Sequence, residues 1–187
     1  MGKIEEILKK RGILVLFYSD YFTPLSLICL KYLQKARSGD KGLYFVQGRA
    51  AMPTHLLKVL DQLSEKFTEN IMVVPLSDPL HQFIIVNMLE SFVDCYDWVF
   101  FDNFFTNLLV VRGLAKSLRT LIIAFEQISK IKQVSKKHNA LFVIATVEEI
   151  RSIVPLDRVK AFADAVVRVE RYEGEVRATV EKWENDN

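Results

Sequence analysis

The chain has 187 residues, half of them apolar and 26% charged, with a formal net charge of +2. That is material for one domain with a sizeable core; it excludes a disordered chain, a strongly basic nucleic-acid arm and an acidic tail. Two cysteines, Cys29 and Cys95, are too few for a zinc cluster or a disulfide scaffold, and no secretory segment or run of ~18 uninterrupted apolar residues occurs.

The richest apolar stretch, Trp98 to Val111, is broken by Asp102, Asn103, Thr106 and Asn107. A single domain over 1–187, cytoplasmic and not membrane-bound, is therefore expected.

In chain order, Lys3 to Arg11 reads as a short helix stopped by Gly12, and Ile13 to Tyr18 as a buried strand. Thr23-Pro24 has the form of a cap followed by proline in the first turn, opening a helix that runs to the Ser38-Gly39-Asp40 turn. Leu43 to Gln47 is a second strand. Pro53 to Phe67 has helical spacing through Leu56, Leu57, Leu60 and Leu63, and Ile71 to Val74 is a third strand. Asp78-Pro79 opens another helix reaching about Val93. Trp98 to Phe101 is a fourth strand, Leu114 to His138 a long helix, and Ala140 to Ala145 a fifth strand. Residues 147–163 read as a long loop with a helical turn. Ala165 to Arg171 and Val176 to Trp183 alternate around Glu173-Gly174, a hairpin signal.

Strands alternating with helices, and strands apolar almost throughout, predict an α/β fold: a mostly parallel sheet flanked by helices, closed by an antiparallel hairpin. Charge is unevenly distributed, at +6 over 1–60, −7 over 61–105, +6 over 106–160 and −3 over 161–187.

In such sheets ligands bind beyond the carboxyl ends of the strands. A phosphate cradle after the first strand needs glycines, a lysine and a Ser/Thr. The stretch Ser19 to Ser26 (SDYFTPLS) has neither glycine nor lysine, and Pro24 has no N–H to offer. A unit charge pair ~4 Å apart is worth about 4 kcal/mol at an effective dielectric of ~20. The missing lysine alone thus costs on the order of a thousandfold in affinity. Nucleotide binding in the usual mode is not expected, and no cofactor is assigned.

Asp102 ends the fourth strand, where phosphate-loop enzymes hold magnesium through water; the plainer reading is a cap for the next segment. Ser26 is the other remnant of such a site. After the second strand comes Gln47-Gly48-Arg49, with no carboxylate to activate water, and Glu148-Glu149 after the fifth strand suits a charged loop. His55, His81 and His138 lie in separate helical segments without partners at metal-ligand spacing. Cys29 and Cys95 read as buried thiols. No catalytic or metal-binding residue is assigned.

The order of ILVLFYSDYFTPLSL, KGLYFVQG, YDWVFFDNF, SKKHNALFVIATV and DAVVRVERYEGEVRATVEK, covering about residues 10–183, resembles the RecA-type ATPase core. It resembles most closely the short archaeal RadB-like paralogs of the RadA recombinase, with a degenerate Walker A motif and without the N-terminal helical domain of full recombinases. The resemblance implies a RecA-like P-loop NTPase core. Asp102 matches the family's Walker B aspartate and Ser26 its magnesium-binding Ser/Thr, a vestigial nucleotide site. The family's catalytic glutamate falls at Gly48, and its Asn-Gln pair near Thr146 and Val147. The family's DNA-binding loops correspond to regions holding Arg112, Lys116 and Arg119, then Arg151, Arg158 and Lys160; a solvated helix face is the alternative for these cations. Lys130, Lys132, Lys136 and Lys137 suit the C-terminal end of a helix dipole. Phe162-Ala163-Asp164-Ala165 matches the recombinase Phe-x-x-Ala hook in letters, but lies beside a core strand.

The expected function is that of a non-catalytic RecA-fold paralog, an accessory, scaffold or regulatory factor in homologous recombination and DNA repair. Its expected partners are RadA, another RecA-fold paralog, a second copy of itself and DNA. The alternatives are an assembly subunit of an Elongator-like RecA-fold complex, and a residual ATPase using Asp102.

Overall fold

A computed structural model describes residues 2–19, 25–47, 57–108, 117–148 and 154–184. Its strands are β1 (Leu14–Ser19), β2 (Gly42–Gln47), β3 (Ile71–Leu76), β4 (Trp98–Asp102), β5 (Leu141–Val147), β6 (Ala165–Tyr172) and β7 (Glu175–Trp183). They form one sheet in the order β3-β2-β4-β5-β1-β6-β7. Every neighbouring pair is parallel except β6 and β7. The helices are α1 (Lys3–Lys9), α2 (Leu25–Arg37), α3 (Glu65–Thr68), α4 (Pro79–Met88), α5 (Ser117–His138) and α6 (Leu156–Phe162).

Strand alternation divides the core into two layers. Leu14, Leu16 and Tyr18 of β1 face α4, α5 and α6, in one cluster with Val86, Ile128 and Val159. Val15 and Phe17 face the opposite side, in a cluster with Ile7 of α1, Leu30 and Leu33 of α2 and Phe67 of α3. A sheet covered on both faces explains why the central strands carry almost no polar side chain.

Arg37 fastens α1 to α2. Its side chain is buried and donates to the carbonyls of Leu8, Lys9 and Lys10, at the end of α1, at 2.6–2.9 Å. Its remaining amino group pairs with Asp40 at 2.6 Å.

Several elements differ from the sequence reading. The segment expected as a helix over 53–67 is described from residue 57. It is helical at 57–60, turns at 61–63, and restarts as α3 after Ser64, whose backbone is extended (ψ 142°). The helix opened by Asp78 ends at Met88 and continues as two 3₁₀ turns, Leu89–Ser91 and Val93–Cys95, separated by Phe92 at φ −139°. The expected loop 147–163 contains α6, two turns anchored by buried Leu156 and Val159. Strand β3, at the edge of the sheet, runs on through Pro75 opposite Val46; proline is tolerated in edge strands. Cys29 is buried as expected, but Cys95 is exposed, because its short 3₁₀ turn buries Val93 instead. The Thr23-Pro24 cap, His55, and the start of the long helix at 114–116 lie outside the described residues.

Candidate functional site

The carboxyl ends of β1, β4 and β5 converge above α2, and the polar residues there are buried: Ser19 at the end of β1, Asp102 at the end of β4 and Thr146 near the end of β5. Asp102 is 2% exposed. Ser26, in the first turn of α2, brings its hydroxyl within 2.8 and 2.7 Å of the two Asp102 oxygens, its single proton shared between them. Tyr44 of β2 donates its phenolic proton to Asp102 Oδ2 at 2.8 Å. Its ring stacks on Phe100 with centroids 5.0 Å apart and planes 6° from parallel.

The register explains the convergence. Val46 stands opposite Asp102 and Tyr44 opposite Phe100, so Tyr44 is two residues upstream on the same face of the sheet, within reach of the carboxylate. Burial pushes the Tyr44 pKa up, and the negative charge of Asp102 adds to it. Cys29, one turn along α2 from Ser26, is raised for the same reasons in the same order. Both groups are therefore neutral at physiological pH, and the cluster is one carboxylate served by uncharged hydroxyls.

Sequence reasoning brought Ser26 and Asp102 to one site and missed Tyr44. A signal was present: β2 alternates, with Leu43 and Phe45 on one face and Tyr44 and Val46 on the other. That places Tyr44 on the α2 side, where a buried phenol needs an acceptor. Thr146 is 1% exposed and Val147 half-buried; Gly48 lies outside the described residues.

Among the described residues, Ser26 and Asp102 are the groups that would meet a divalent cation. Magnesium asks for a near-octahedral oxygen shell and keeps several of its waters. Here the carboxylate is almost fully buried and accepts from two hydroxyl donors. No group of three or more His, Cys, Asp or Glu side chains suited to a metal occurs among the described residues.

Among the cations expected to meet DNA, Arg119 on α5 and Arg158 on α6 are exposed. Lys160 is committed elsewhere. Its Nζ is 2.8 Å from Glu181 Oε2 and 2.9 Å from the Tyr18 hydroxyl, and lies 4.1 Å from the Tyr18 ring centroid. Burial works against its charge, but the bonds to Glu181 and Tyr18 outweigh burial and raise its pKa. Arg112, Lys116 and Arg151 lie outside the described residues. Three lysines near the end of α5 are in tertiary pairs rather than merely facing the helix dipole: Lys130 and Lys137 with Glu90 at 2.6 and 2.9 Å, and Lys132 with Asp164 at 3.0 Å. The Phe-x-x-Ala letters are core: Ala163 and Ala165 are buried, and Asp164 accepts the Leu14 amide at 2.8 Å. No helix among the described residues is long and apolar enough to cross a membrane.

A scan against protein-family models finds no match to this sequence, and a search of curated proteins finds none either. Among solved structures, the chain is similar to one described as the crystal structure of the RadB recombinase. The TM-score is 0.68 at 16% identity, covering 93% of this chain and 82% of that chain. At this identity the likeness is one of fold: a RecA-like α/β core with a mostly parallel seven-stranded sheet and the β6–β7 hairpin at one edge.

Proposed function

We propose that this chain is a RecA-fold paralog in homologous recombination that works without a phosphate-loop mechanism. It acts as an accessory, scaffold or regulatory subunit beside RadA or another RecA-fold protein, and contacts DNA directly. The observation that carries this reading is the closed cluster at the end of β4. Asp102, placed where a nucleotide-bound magnesium would be approached, is buried and held by Ser26 and Tyr44. The sequence between β1 and α2 supports it, since no lysine stands there to balance a triphosphate.

Calorimetric titration of the chain with ATP and magnesium tests it. No heat of binding is expected, and micromolar affinity overturns the reading. The DNA contact is tested by gel shift at two salt concentrations, comparing the chain with a variant reversed at Arg112 and Arg119. Loss of phosphate contacts weakens binding and flattens its salt dependence; unchanged binding removes this surface.

A further inference from the structure

We propose that β7 is a self-complementary sheet edge through which two copies of this chain pair antiparallel about a two-fold axis at Thr179, so that the sheet of one copy continues into the other. The strand has 9 residues (EVRATVEKW), ends the sheet, and is paired with β6 on one side; no described strand lies on its other side. An open edge of that length presents unpaired backbone groups to any strand of matching pattern.

A two-fold axis normal to the sheet sets same-face residues of the two copies opposite one another. Centred on Arg177, it opposes Arg177 to itself. Centred on Ala178, it opposes Glu175 to Glu181, and centred on Glu181 it opposes that carboxylate to its own copy. Centred on Val180, it opposes no two charges. The Thr179 register sets Arg177 opposite Glu181 twice, Ala178 opposite Val180 twice and Thr179 opposite itself. Beyond Glu181 the β-bulge breaks the alternation, so these same-face pairs span Arg177 to Glu181. Opposite-charge and Thr–Thr pairs are the cross-strand contacts that favour a register, and like charges oppose one.

The side chains stand ready for it. Arg177 is exposed, its guanidinium 4.7 Å from the Tyr172 ring centroid. Glu181 falls at the β-bulge, where Val166 and Val167 of β6 face Lys182 and Val180, so no β6 residue stands opposite it. Lys160 and Tyr18 fix its orientation through one bond to each oxygen, and a carboxylate has room for about four. On the other face, Ala178 and Val180 line a groove of about 510 Å³ against α1 and α2, floored by Tyr32. Val176 is 45% exposed beside it. The second copy's Val180 and Ala178 extend this apolar row where it otherwise meets water.

Charge exchange tests the register. By light scattering after size exclusion, the wild-type chain is expected at twice its 21.6 kDa mass. Arg177→Glu and Glu181→Lys are each expected at the single-chain mass, because each sets like charges opposite one another twice. An equimolar mixture of the two variants restores both opposite-charge pairs and is expected to return to the double mass, which also shows that both variants are folded. A monomeric wild type, a variant that remains dimeric alone, or a mixture that stays monomeric overturns the proposal. The readout involves neither nucleotide nor DNA, so this proposal and the functional reading fail independently.

Discussion

The Tyr44 ring lies flat on Phe100 and its hydroxyl ends on Asp102, so a β2 side chain holds the end of β4 to the start of α2 through Ser26. A buried carboxylate stripped of a donor keeps the full cost of its desolvation. Ser26→Ala and Tyr44→Phe are each expected to lower stability by about 2 kcal/mol in urea titrations, because each leaves Asp102 short of one partner. A second residue-scale test concerns Gly42, where β2 passes Trp98. A Cβ built there meets Trp98 Cζ2 at 1.9 Å. That indole is fully buried and stacked on Phe67 with centroids 5.8 Å apart, so it has nowhere to move. Gly42→Ala is expected to destabilise the fold by at least about 2 kcal/mol, the cost of overpacking a dense core, read from the same titrations.

At the scale of elements, α4 and α5 are joined by charge as well as by packing. Glu90, in the 3₁₀ turn after α4, receives Lys130 and Lys137 of α5. These bonds hold its carboxyl down at about 2, against an ordinary value of 4.5. A folded-state pKa below the unfolded one stabilises the fold above the unfolded value, and that contribution disappears as pH falls through the folded one. The contribution of Glu90 is therefore complete above about pH 4.5 and lost between there and about pH 2. Glu90→Gln is expected to flatten the stability–pH curve in that window and leave its shape near neutrality unchanged, as followed by thermal melts across pH. The start of α4 has the same sign: Asp78 accepts the His81 amide at 2.9 Å, and that bond lowers its pKa.

For the whole molecule, both core layers share one sheet. Trp98 lies in the α1–α2 layer and its neighbour Val99 in the α4–α5 layer, one residue apart on β4. Neither layer can open without exposing the other's strands, so unfolding is expected to be a single transition. Far-ultraviolet circular dichroism and tryptophan fluorescence should give coincident midpoints, and separated midpoints would show that the layers unfold independently. The sheet's two edges differ in character. β3 carries Pro75 within its run, while β7 sets Arg177 against Glu181, of opposite charge, when the strand is turned about Thr179.

Much of this protein is legible in its sequence, because the signals involved are local. Short apolar runs such as ILVLFY and ALFVIA, rich in β-branched and aromatic residues and too short for a typical helix, read as buried strands. Asp78-Pro79 caps its helix with side-chain and ring geometry that needs no distant partner, and Glu173-Gly174 turns the hairpin with positive φ at both residues. Alternation of such elements fixes an α/β class and places the site at the carboxyl ends of the strands. The partner of Asp102, the split of the helix expected over 53–67, the exposure of Cys95 and the pairing of Lys160 with Glu181 were decided only in three dimensions. The partner of Asp102 and the pairing of Lys160 with Glu181 depend on residues distant in the chain being brought together; the other two depend on local turns that leave no mark in the hydrophobic pattern. Pattern along a chain specifies which face a residue occupies; only the order of strands in the sheet determines what stands opposite it.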